Sequence, residues 1–204
     1  MEEARQREGG RRPIFLVVAL LAMWLVGMNA FAEGWVIVSV VTDPWVAAPS
    51  AGDGSLEAVI RAALVSGIAE TQDRMLPLGV AELLLGGVLV AIAAKALFGR
   101  RASPSLAIQV IVANALVLVM GYALRQPVRE RVVEAIVKSG LEQRPSGTSA
   151  HRFTASVRTK WWWSFRVSFS LQLVALGLSG IALTRRSARD LLAPEREPHA
   201  EEES

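Results

Sequence analysis

The segment PLGVAELLLGGVLVAIAAKALF at 77–98, the turn GRRASPS at 99–105 and the segment LAIQVIVANALVLVMGYALR at 106–125 decide how this chain folds. Each apolar run holds about 20 residues, long enough for a helix to cross a bilayer core of roughly 30 Å. A helix satisfies its own backbone hydrogen bonds, which lipid demands because it offers no partners. The pair reads as a transmembrane hairpin closed by a short basic turn.

Two further apolar blocks flank this hairpin, IFLVVALLAMWLVGMNAFA at 14–32 and the run from Val167 to Thr184. Of the 204 residues, 52% are hydrophobic, and they gather into these four blocks instead of spreading at the spacing of a soluble core. The expected fold is therefore an all-α integral membrane protein: a four-helix transmembrane bundle spanning at 14–32, 77–98, 106–125 and 165–184. The absence of cysteine excludes disulfides, thiol nucleophiles and cysteine-ligated zinc. His151 and His199 have no partner at metal-ligand spacing. No metal, cofactor or catalytic constellation is expected, and the chain does not read as an enzyme. A net charge of +3 with no basic stripe interleaved with aromatics argues against a nucleic-acid surface.

The first block admits two readings. Ala30-Phe31-Ala32 before Glu33 matches a cleavable secretory signal. The same residues also suit a retained span that WVIVSVV at 35–41 would extend, and this is the preferred expectation. Both readings leave the next segment on the same side.

Two long connections are expected to carry amphipathic helices. In the first, 33–76, Trp35 and Trp45 suit a bilayer interface, and Ser55 is a plausible N-cap. From there Leu56, Val59, Ile60, Ala63, Leu64, Gly67 and Ile68 repeat with helical period, while Glu57 and Arg61 pair on the other side. This predicts a helix over 55–73, with Pro77 opening the next span. In the second connection, 126–164, Val128, Val132, Val133, Ile136 and Leu141 mark a helix over 128–143. A polar loop follows, leading to Trp161-Trp162-Trp163 beside Arg158, Lys160 and Arg166, which reads as an interfacial anchor. VIRAALVSGIAE at 59–70 aligns with VVEAIVKSGLEQ at 132–143. The match fits either a tandem duplication or two helices that merely share an amphipathic pattern. The tail, 185–204, is acidic, carries two prolines and is expected to be disordered.

Basic residues divide evenly between the two sides, so orientation rests on Arg11-Arg12 before the first span and on the Arg100-Arg101 turn. Both favour a cytoplasmic N-terminal segment, 1–13, a cytoplasmic turn, 99–105, and a cytoplasmic tail. The two amphipathic helices then lie outside; the basic second connection argues the other way. Scarce Lys beside abundant Arg and Ala suits a GC-rich bacterial genome, hence a bacterial inner membrane.

An ionisable group inside a span costs roughly 2.5–3.5 kcal/mol at its centre, which makes it a functional candidate. Glu82 is the foremost, with Gly79, Gly86 and Ala93 on its face to admit a neighbouring helix. Ala107, Asn114 and Gly121 suit the facing stripe, and Arg125 can snorkel toward Glu82. Asn29, Gln172 and Arg166 fall at similar depth. Together Glu82, Arg125, Asn114, Asn29, Gln172 and Arg166 form an expected intramembrane polar cluster. Beyond the lipid bilayer, the expected partners are another protein or a second copy, docked through 55–73 and 128–143. That makes a structural or partner-binding subunit the leading functional expectation. The alternative is an oligomeric transporter or channel subunit with Glu82 as its titrating group.

Overall fold

The computed structural model describes residues 14–43, 55–98, 103–142 and 150–185. The 1–13 segment, Trp45, Arg100-Arg101, His199 and the tail beyond Arg185 lie outside them. Among the described residues there are six helices and no strand: α1 (Ile14–Thr42), α2 (Leu56–Glu70), α3 (Gln72–Leu97), α4 (Pro104–Leu124), α5 (Gln126–Glu142) and α6 (Ala150–Thr184). Four of them, α1, α3, α4 and α6, are long and apolar enough to cross a membrane.

The long helices run up, down, up and down, and each packs on two others in the closed order α1, α3, α4, α6. The tightest pair is α1 with α3. Gly27 faces Gly86 and Gly34 faces Gly79, so the two backbones touch in antiparallel register with glycines seven residues apart on each helix. A methyl group at Gly34 would come within 2.5 Å of both the Gly79 carbonyl oxygen and the Leu83 nitrogen. The stripe expected to admit α4 instead admits α1. On α4, Gly121 makes room for a side chain: a Cβ there would stand 2.9 Å from Glu82 Oε1.

Several helix ends differ from expectation. α1 runs ten residues past the 14–32 block, through the 35–41 extension that the retained-span reading expects, and stops at Thr42, since Asp43 precedes a proline and is disfavoured in helical geometry. α3 begins at Gln72, so Pro77 sits inside the helix instead of opening it. Both Pro77 and Asp73, whose carbonyl loses its partner to the proline, are exposed. α6 starts at Ala150, where a polar loop was expected, because Phe153 seats on Gly140 of α5 and packing overrides a weak local signal. Ser55 caps α2, accepting from the Ala58 N–H at 3.2 Å, and Ser103 caps α4 through Leu106.

α2 and α5 lie together across one end of the bundle, here called the cap end. Ile68 of α2 and Val128 of α5 share a core cluster with Ile37, Val40, Met75 and Leu78. Glu70 and Arg131 pair across the same junction. α2 enters α3 through Thr71 alone, and α4 leads into α5 through Arg125 alone. The aligned segments 59–70 and 132–143 are thus joined to the bundle differently, the first preceding a long helix directly and the second following one. They share a pattern without sharing a placement. At the opposite, far end, Leu16, Leu20, Met23, Leu89, Leu176 and Leu183 form a dry core.

Candidate functional site

Arg125 sits at the C-terminal cap of α4, where its N–H donates to the Gly121 carbonyl at 3.0 Å. Its guanidinium spans two carboxylates, Nη1 donating to Glu33 Oε2 of α1 and Nη2 to Glu82 Oε2 of α3. Glu82 is 4% exposed. A carboxylate at that depth requires a paired, hydrogen-bonded cation, and the planar fork of arginine serves two acceptors at once. Asn29 extends the network one turn down α1, donating to Glu33 Oε1 at 2.7 Å. Asn114 is buried, and with Gln172 it lines a small recess beneath Glu33 and Glu82.

Above this cluster lies a cavity of about 470 Å³ to which all six helices contribute. That volume lies in the range of roughly 300–1,000 Å³ usual for small-molecule sites. Its walls are apolar: Val36 and Ile37 from α1, Leu64 and Ile68 from α2, Met75 from α3, Val128 and Val132 from α5, Phe165 and Phe169 from α6. Glu33, Glu82, Arg125 and Gln172 form its polar floor. α1 and α6 pack closely toward the far end, where Ser179 reaches the Ala19 carbonyl. Nearer the cap the cavity lies between them, and three of its lining residues, Ala32, Val36 and Ser168, are exposed. The mouth therefore opens sideways between α1 and α6.

A second arginine, Arg129, stands one turn into α5. Its guanidinium carbon lies 3.9 Å from the centroid of the Tyr122 ring and 5.9 Å from those of Trp162 and Phe165. Tyr122 is itself stacked on Phe169 at 4.2 Å. Nη2 donates to the Tyr122 carbonyl oxygen. Burial lowers the pKa of this side chain from its ordinary value; Tyr122 and Glu130 oppose the shift, and the adjacent Arg125 charge adds to it. An arginine still carries its charge at neutral pH.

The structure thus gathers Glu82, Arg125, Asn29, Asn114 and Gln172 around one end of the bundle. Arg166 is exposed and lines neither cavity. The three tryptophans take separate places: Trp161 lines the cavity, Trp162 stands near Arg129, and Trp163 is exposed. Lys95 is exposed. Glu33, Tyr122 and Arg129 are site residues that sequence reasoning missed. The signal for the two charged ones was spacing, since Asn29 and Glu33, like Arg125 and Arg129, stand four apart on a helical face. Among the described residues no group of three metal-ligating side chains converges. Comparison with known proteins returned no matching family model, no matching curated protein and no matching solved structure.

Proposed function

We propose that this chain is a four-span protein of a bacterial inner membrane, with both termini cytoplasmic, whose cap end holds a membrane amphiphile admitted sideways from the lipid. The observation that carries this reading is the position of the mouth. Met28, Phe31 and Trp35 flank it on α1, and Val167, Leu171 and Val174 on α6, all exposed. Water does not tolerate so continuous an apolar surface, whereas lipid matches it. A cavity with apolar walls and a charged floor suits a molecule of the same two-part chemistry.

Membrane embedding itself is supported by the outward faces of the long helices, where Leu21, Leu25, Leu84, Leu116, Leu171 and Leu178 are exposed. Retention of the first helix is supported by Leu16, Leu20 and Met23 in the far-end core and by Glu33 on Arg125. Cleavage after Ala32 would remove the first set and leave the second at a chain terminus. The leading expectation of a docked partner has less support, because the apolar sides of α2 and α5 cover one another. A transport pathway has less again. It asks for polar groups through the far end, where Ser179 is the buried polar residue among those described, and its hydroxyl is used by carbonyls.

Native mass spectrometry of the protein from mild detergent tests this reading. The wild type is expected to retain one lipid after repeated detergent washing. Ala32→Trp and Ser168→Trp, which fill the mouth, are expected to lose it while keeping wild-type helical content, their melting temperature falling only by the stabilisation that the bound lipid supplied. A wild type that carries no lipid overturns the proposal.

A further inference from the structure

The two arginines of the cavity are held in opposite ways. Arg125 is neutralised by two carboxylates, Glu33 and Glu82, through Nη1 and Nη2, although its Nε is buried without a hydrogen bond. Arg129 lines the same cavity, yet among the described residues it has no carboxylate partner, and its Nε is buried without a hydrogen bond. Its sequence neighbour Glu130 is exposed and accepts from Gln126 at 3.1 Å. Guanidinium carries five donors. Three aromatic rings and one carbonyl oxygen hold this one in place without neutralising it.

A desolvated cation without a counter-ion is costly, and an anion of matching geometry relieves that cost. The helix beside it, α6, brings it no acidic residue: from Ala150 to Thr184 it carries Arg152, Arg158, Lys160 and Arg166. One of these, Arg158, has a carboxylate nearby, Glu134 at 3.9 Å. The opposite wall, α1, brings Glu33, which is already engaged by Arg125 and Asn29. The α6 residues that line the cavity, Trp161, Phe165, Ser168, Phe169 and Gln172, are uncharged, so none offers Arg129 a counter-ion.

From this we infer that the amphiphile is a phospholipid of net negative charge, with its headgroup phosphate on the Arg129 guanidinium and an acyl chain along the Ile37, Leu64, Met75 and Phe169 walls. The inference rests on the lateral-pocket reading above and adds the headgroup to it. Basic pockets among transmembrane helices recognise anionic lipid in this manner. The fork matters beyond its charge: an ammonium in its place keeps the attraction but loses the bidentate geometry and much of the ring stacking.

The test is headgroup selectivity, read separately from occupancy. The full chain is reconstituted in nanodiscs of equal phosphatidylglycerol and phosphatidylcholine with matched acyl chains, then released into mild detergent for native mass spectrometry. Wild type is expected to retain phosphatidylglycerol over phosphatidylcholine by about tenfold, because both offer the phosphate but the quaternary ammonium of choline is repelled by the guanidinium. Arg129→Gln is expected to retain lipid at the bulk ratio, and Arg129→Lys to fall between. Arg131→Gln, which removes an exposed cation of the same helix, is expected to keep the wild-type ratio. Wild type that retains lipid without preference overturns the headgroup assignment and leaves the pocket standing. Wild type that retains no lipid overturns both. An enrichment unchanged in Arg129→Gln moves the headgroup elsewhere and overturns the role of Arg129. Melting temperatures in detergent identify any variant that fails to fold; if Arg129→Gln does, Arg129→Lys decides, and an unreduced preference in it also counts against the assignment.

Discussion

The two ends of the bundle are built by the same four helices under different rules. At the far end Leu16, Leu20, Met23, Leu89 and Leu183 interdigitate, and the buried Ser179 hydroxyl lies within hydrogen-bond distance of the Ala19 and Ala175 carbonyls. At the cap end the helices part around a cavity, and three charged groups from α1, α3 and the α4–α5 joint hold them in relation. Charge distinguishes the two halves: apart from Lys95, every charged residue of α1, α3 and α6 stands in the cap-end half. The comparison teaches that shape complementarity closes one end and charge closes the other. Only the second leaves room for a ligand.

The largest expected effect breaks the cap end. Arg125→Ala leaves Glu82 buried beside Glu33 with no cation, at a cost of about 3–5 kcal/mol, read as a lowered melting temperature in detergent. Adding Glu82→Gln is expected to recover most of that loss. If Arg125→Ala alone leaves the melting temperature in place, charge does not close this end. Gly34→Ala probes the helix pair that runs through both ends. The added methyl meets backbone on α3 with no flexible side chain to yield, so about 1–3 kcal/mol is expected. A tolerated alanine would mean that α1 and α3 stand further apart than described. Ser179→Ala sharpens the contrast from the far end, where a single hydroxyl among fitted apolar side chains is worth about 1 kcal/mol or less. A loss as large as that of Arg125→Ala would show that the far end, too, is held by polar bonds.

Much of the architecture could be read from residue order. Four apolar runs predict four long helices, and valine and leucine at helical spacing predict α2 and α5. The ends were less legible, because they are set by neighbours distant in the chain: Phe153 finds Gly140 only in the folded molecule, and nothing local in 150–160 announces a helix. The Glu82–Arg125 pair was legible as opposite charges at matching depth. Glu33 was not, because the apolar block before it ends at Ala32 and a hydropathy reading places it in a loop. Arg166 stands at another height and on another face: six residues from Gln172 is a rise of about 9 Å and a rotation of roughly 240° at 3.6 residues per turn. The same geometry parts the three tryptophans, since consecutive helical residues diverge by about 100°. Arg129 was counted only as one more charge in a basic segment. That it forms no ion pair among the described residues emerges only when the fold shows which carboxylates its neighbour has taken.

The bridge made by Arg125 also imposes an order on biogenesis. The arginine is 92 residues after Glu33 and 43 after Glu82. A nascent chain that holds α1 and α3 therefore brings two carboxylates toward each other before their shared cation has been synthesised. The glycine contacts can close that helix pair without α4, but its cap end gains its cation only when α4 has been made. Arg125 is thus the last of the three charged groups to be made, and a chain that ends before it holds both carboxylates of that bridge without the cation that joins them.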